Sequence, residues 1–159
     1  MEILRVHYSV LIGFLEILDN LGGKSDVAKI ASTQGLELDD LLPMLESGEM
    51  LNLVSVQSGD VSITEQGHLF IAASPKIRKK LLRSILVNLD LFKQLIDLIK
   101  DAEKGYIRKD EFLENFHNTN LNFHTEDNGL NDFDWVIEWG RQALIINYDA
   151  NTETITLRR

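Results

Sequence analysis

The stretch Leu53–Gly67, LVSVQSGDVSITEQG, changes its hydrophobic period twice. Leu53-Val54-Ser55-Val56 and Val61-Ser62-Ile63 alternate apolar and polar residues, the two-residue period of a strand with one buried face. Between them Gln57-Ser58-Gly59-Asp60 supplies turn residues, so the pair reads as a hairpin. Thr64 then has the hydroxyl of a helix N-cap, and a helix through Ala73 follows it.

Working outward, Ser9–Leu21 places Val10, Leu11, Phe14, Leu15, Leu18 and Leu21 on one helical face and stops at Gly22-Gly23. Ser25 reads as the cap of a short helix through Thr33, with Gly35 past its end. A third helix, Leu41–Leu51, starts from Asp39 and tolerates Pro43 in its first turn. Three short helices followed by a hairpin form a winged helix, in which the hairpin covers the open side of a helix-turn-helix core.

Beyond Ser74-Pro75, which resembles a cap with proline at the first helical position, the pattern stays helical from Lys76 to Lys104. A kink or break is expected at Asn88-Leu89-Asp90. Residues 85–99 are apolar all round, as in a helix buried on more than one side. The last third gives a short helix (Lys109–Asn115), a polar loop (Asn118–Gly129) and a helix (Leu130–Ala143). A hairpin of Leu144–Tyr148 and Thr154–Leu157 ends it, around Asp149-Ala150-Asn151-Thr152. The fold class is therefore α+β and mostly α, with two winged-helix-like units, 1–74 and 105–159, joined by a long apolar helix within 75–104. The two halves show no visible sequence repeat; element order alone carries this expectation.

The 159 residues suffice for a core without covalent staples, and 44% of them are hydrophobic. Cysteine is absent, which excludes disulfides and thiolate metal sites. No stretch approaches the ~18 apolar residues of a membrane span, and the N-terminus lacks the order of a signal peptide, so no membrane insertion and a cytoplasmic location are expected.

Catalytic patterns are missing. Gly22-Gly23-Lys24-Ser25 imitates the end of a P-loop, but Leu18 stands where the first glycine belongs and a helix replaces the required strand. His117 and His124, near Glu126 and Asp127, have no metal-ligand spacing, and His7 and His68 are scattered. Acidic pairs such as Asp39-Asp40 and Asp110-Glu111 fall at helix starts, where the helix dipole accounts for them. Neither cofactor nor metal nor enzymatic activity is expected.

Charge argues against a nucleic-acid reader. The net charge is −9, and the helix that would enter a major groove carries Asp39, Asp40, Glu46 and Glu49 with no Lys or Arg. Its counterpart carries Asp132, Asp134 and Glu138 against Arg141. One segment runs the other way. Lys76, Arg78, Lys79, Lys80 and Arg83 form a basic patch with no acid between them, while residues 1–75 hold 3 basic and 11 acidic side chains. The patch reads as a solvated helix face or a docking surface for an acidic partner, ahead of a nucleic-acid or membrane-surface contact.

Several strings together resemble one family. They are LIGFLEIL from Leu11 with Gly22-Gly23, Asp26-Val27-Ala28, Leu41-Leu42-Pro43, Leu51-Asn52-Leu53-Val54, Ile63-Thr64-Glu65-Gln66-Gly67, the Arg78-Lys79 to Arg83 stretch, and Trp139-Gly140-Arg141-Gln142-Ala143 with Tyr148-Asp149. The chain is similar, from about Tyr8 to Leu157, to the AAA-associated C-terminal domain. That module follows the ATP-binding subunit of ABC importers of the nitrate, sulfonate, taurine and bicarbonate class, and also occurs as separate short proteins. Gln142 departs from the pattern, which has an aromatic residue there.

The resemblance implies a non-catalytic regulatory or protein-interaction domain whose partner is an ABC transporter ATP-binding subunit or its permease. The surplus of apolar residues in 85–99 adds an expected homodimer contact. Trp139, Gly140, Arg141, Tyr148 and Asp149 read as a structural motif: tryptophan packs, Gly140 permits close backbone approach, and Arg141 caps carbonyls or pairs with Asp149. The alternatives from other classes are a transcriptional regulator that binds DNA through residues 76–83, and a small-molecule sensor with a pocket between the units.

Overall fold

The hairpin read from Leu53–Gly67 is two strands of a three-stranded sheet, and the same arrangement occurs a second time. In the computed structural model, which describes residues 2–124 and 129–159, the chain divides into two compact units. The N-terminal unit is Leu4–Arg78, and the C-terminal unit is Lys79–Arg159 with Met1–Ile3.

The N-terminal unit contains α1 (Tyr8–Asn20), β1 (Lys24–Asp26), α2 (Val27–Gln34), α3 (Leu38–Met50), β2 (Val54–Gln57), β3 (Asp60–Ile63) and α4 (Glu65–Ala72). Its antiparallel sheet has the order β1-β3-β2, with Ser25 opposite Val61 and Val56 opposite the same residue on the other side. Leu11, Phe14, Leu15 and Leu18 of α1 meet Ile30, Leu41, Leu45, Leu53 and Phe70 in an almost wholly aliphatic core.

The division falls at Arg78, within α5 (Pro75–Leu86). The C-terminal unit continues with α6 (Asp90–Asp101), β4 (Tyr106–Arg108), α7 (Lys109–Phe116), α8 (Asp132–Gln142), β5 (Ile146–Asp149) and β6 (Thr154–Leu157). Sheet order is β4-β6-β5, the same as in the first unit. This core is aromatic. Phe112 lies 4.5 Å from Phe116 and meets Phe133 edge-on at 5.2 Å, and Trp135 and Trp139 are fully buried. Among the described residues the chain is thus α+β and mostly helical, with eight helices and two small sheets.

Several sequence expectations need correction. The break expected near Asn88-Leu89 is complete, so in place of one long apolar linking helix there are two helices of 12 residues, α5 and α6, separated by Val87-Asn88-Leu89. The amide of Asn88 caps the Ser84 carbonyl at 2.9 Å, and Leu89 turns to an extended conformation as the N-cap of α6. Nor is α6 apolar all round. Leu91, Phe92, Leu95 and Ile99 are buried on one side while Lys93, Gln94, Asp97 and Lys100 are exposed on the other. The residues that prompted a dimer contact therefore include the core of their own unit.

β1 and β4 have no signal in the sequence because three-residue strands show no period; Lys24-Ser25-Asp26 is polar throughout. Asp26, rather than Ser25, caps α2, accepting from the Lys29 N–H at 3.1 Å. Helix α3 begins at Leu38, so Pro43 lies in the second turn and leaves the exposed Asp39 carbonyl without its usual donor four residues on.

Candidate interaction site

Each unit turns from its third helix into a strand by the same device. In the N-terminal unit Gly48 lies under Val54, and a Cβ on it would come within 2.7 Å of that side chain. Asn52 adopts φ +57°, and Leu53 N–H donates to the Gly48 carbonyl at 2.8 Å. In the C-terminal unit Gly140 lies under Ile146, again with 2.7 Å to a hypothetical Cβ. Leu144 takes φ +59°, and Ile145 N–H donates to the Gly140 carbonyl at 2.9 Å.

The residue after each glycine reaches the outer strand. Glu49 accepts from the Val56 N–H at 3.4 Å, whereas Arg141 donates to the Tyr148 carbonyl and lies over its ring, 5.6 Å from the centroid. The spacing glycine, four on, two more (48-52-54 and 140-144-146) is a repeat that the dissimilar residues around it conceal. Trp139, Gly140, Arg141 and Tyr148 thus gather at one corner. Asp149 begins the β5–β6 turn, accepting from the Asn151 N–H at 2.9 Å.

The five basic residues of α5 do not share one role. Lys76 and Arg78 belong to the N-terminal unit, Lys79, Lys80 and Arg83 to the C-terminal one. Arg78 donates to the carbonyls of Phe70 (3.2 Å) and Ile71 (2.6 Å) at the end of α4, and lies 3.6 Å from Glu16. A cation there complements the negative end of a helix. Arg83 donates to the Leu144 carbonyl, at the strained corner. Lys76 and Lys80 are exposed and Lys79 is half-buried.

Arg83 also edges a groove of about 930 Å³ contained in the C-terminal unit. Its apolar walls come from Val87, Ile96, Ile145 and Leu157. Around them stand Arg83, Lys93, Lys100, Arg158 and Arg159, with Asp97 as the one carboxylate among the lining residues. Five of the 16 Lys and Arg of a −9 chain are gathered here. No sequence signal announced this site, because its residues come from α5, α6, the Gly105 turn and the final strand.

A smaller apolar pocket of about 190 Å³ lies in the N-terminal unit between Val10, Ile17, Leu36 and Met44. Among the described residues no three His, Asp or Glu side chains gather as a metal site. His117 Nδ1 contacts the Glu114 carbonyl, while Glu126 and Asp127 lie outside the described residues. Gly22 and Gly23, both at positive φ, form the α1–β1 turn, so the imitation P-loop follows a helix rather than a strand. No described helix is long and apolar enough to cross a membrane.

Burial separates the two third helices. Asp39, Asp40, Glu46 and Glu49 of α3 are all exposed. In α8, Asp132, Phe133, Trp135, Val136, Ile137, Trp139 and Gly140 are buried, leaving only a narrow outer face. Asp132 itself receives the Asn122 N–H at 2.7 Å and so fastens the preceding segment.

Comparison with curated proteins and with solved structures yields no match. A family model described as the C-terminal AAA-associated domain matches residues 28–149, which include both glycine corners and every strand but β1 and β6. The chain belongs to the C-terminal AAA-associated domain family.

Proposed function

We propose that this chain is a non-catalytic, cytoplasmic interaction and regulatory domain built of two winged-helix-like units, and that it acts on an ABC-type ATP-binding subunit or the permease it serves. Membership of the AAA-associated family supports the link to such ATPases. The observation that carries the polypeptide reading is the state of the two third helices. A duplex reader presents a cationic, exposed helix to the major groove. Here α3 exposes four carboxylates and no cation, and α8 is largely swallowed by its core. Such faces repel phosphate and suit a protein partner.

Regulation by contact follows from this reading, with the cationic groove as the docking element. DNA binding through residues 76–83 has weaker support, since Arg78 and Arg83 hold backbone carbonyls of their own units. A dimer through 85–99 is a further part of the reading that light scattering checks.

The test is co-expression of the full chain with the ABC-type ATP-binding subunit of the same cell. Co-elution and a changed ATPase rate are expected. Absence of association, with duplex DNA bound in a steeply salt-dependent way, overturns the proposal.

A further inference from the structure

The cationic groove of the C-terminal unit is the counterpart of a surface that the N-terminal unit covers with its own helix. In the N-terminal unit α4 follows β3 directly and packs on α1. Thr64 N–H donates to the Leu53 carbonyl at 3.0 Å, and α4 starts there. Gly67 lies so close that a Cβ would fall 2.1 Å from the Leu53 oxygen, and His68 covers Gly23 at 3.2 Å from its hypothetical Cβ. Leu15 of α1 has no exposed surface, and Ile63, just before α4, is buried.

The C-terminal unit repeats this geometry up to the helix. Arg158 N–H donates to the Ile145 carbonyl at 2.9 Å, as Thr64 does to Leu53. Matching the buried faces of α1 (Leu11, Phe14, Leu18) and α6 (Phe92, Leu95, Ile99) sets Ile96 opposite Leu15, while the strand register sets Leu157 opposite Ile63, and Gly105 precedes β4 as Gly23 precedes β1. Ile96 and Leu157 are left half-exposed, and nothing lies within 4 Å of a Cβ placed on Gly105. These residues line the groove.

Charge selects the occupant. In the N-terminal unit the seat on α1 is acidic: Asp19 stands 4.0 Å from His68 of α4, and Glu16 3.6 Å from Arg78 of α5. The same match of faces places Lys100 at the position of Asp19, Lys93 at that of Ile12 and Asp97 at that of Glu16; with Arg83, Arg158 and Arg159 the groove sets five cations against one carboxylate. We infer that this groove receives an acidic, amphipathic helical segment of a partner protein, seated as α4 is seated in the N-terminal unit. The inference rests on the proposed function only in taking a polypeptide as occupant.

A displayed library of random peptides of about 16 residues, long enough for about four helical turns, supplies the probe. It is selected on the immobilised full chain and counter-selected on the Lys93→Glu/Lys100→Glu variant. Enrichment of net-acidic peptides with apolar residues three and four apart is expected. The best of them should shift the amide resonances of Ile96, Gly105 and Leu157 in the wild-type chain, and bind about tenfold or more weakly to the variant. Both substituted lysines are exposed, and circular dichroism checks that the variant folds.

Enrichment of basic or uncharged peptides, shifts that map elsewhere, no enrichment, or equal competition by inorganic polyphosphate or duplex DNA each overturns the inference. The variant also separates the two claims. If it still co-elutes with the ATP-binding subunit while no acidic peptide is selected, the groove assignment falls and the interaction role stands. If acidic peptides seat in the groove but the chain ignores the ATPase, the reverse holds.

Discussion

The two units share one chain path and differ in what each helix faces. Both run helix, strand, helix, helix, strand, strand, and both insert the last strand between the other two. Both bend on a glycine that cannot accept a Cβ and a residue in the left-handed region four positions later. The N-terminal unit then closes its surface with α4, while the C-terminal unit leaves the corresponding apolar strip bordered by cations. Among the described residues, shared topology thus does not entail a shared surface.

The largest effect is expected where that helix covers the core. Leu15→Ala should cost about 3 kcal/mol, whereas its counterpart Ile96→Ala should cost about 1 kcal/mol, since Ile96 already meets solvent. Urea unfolding of the two variants decides this; equal losses would break the correspondence between α4's seat and the groove.

Next in size are the corner glycines. Gly48→Ala and Gly140→Ala should each destabilise by about 2 kcal/mol, because Val54 and Ile146 must move to admit a methyl group. A change at only one of them, read by thermal unfolding, would mean that the shared corner is geometrically alike but energetically different.

A smaller, opposite effect is expected at Leu144. Glycine removes the Cβ clash of a left-handed residue, so Leu144→Gly should stabilise by about 1 kcal/mol. Asn52→Gly should change little, since asparagine tolerates that region.

The smallest effect is alkaline. Burial raises the pKa of Tyr8 above its ordinary 10.0, with Arg78 opposing. Tyr148 is raised first by burial, then by Glu153 and Asp134, with Arg141 opposing and Asp149 adding to the rise. A folded-state pKa above the unfolded one means the native state holds the proton longer, so this stability is present below about pH 10 and lost as pH climbs past it. Melting temperature measured from pH 9 upward should fall less steeply in Tyr8→Phe and Tyr148→Phe than in the wild type.

Local patterns exposed much of the molecule. The alternation of Leu53–Ile63, the Gly22-Gly23 stop and the cap at Thr64 all lie within a few residues of what they determine. The three-residue strands escaped notice because polar Lys24-Ser25-Asp26 becomes a strand only by pairing with Ser62, Val61 and Asp60. Residues 85–99 looked uniformly apolar because the break at Val87–Leu89 lets α5 and α6 turn different faces inward. Lys93 and Lys100 are far from Arg158 and Arg159 in the chain, and only the fold brings them to one groove.

From residues alone came most of the helices, both hairpins, the sign of charge on each helix and the family resemblance. Which side of α6 would be left uncovered, and that five cations would gather along it, was settled only by folding. A helix or turn answers to neighbours three or four positions away, while a groove depends on long-range strand register and helix packing, which no local period encodes.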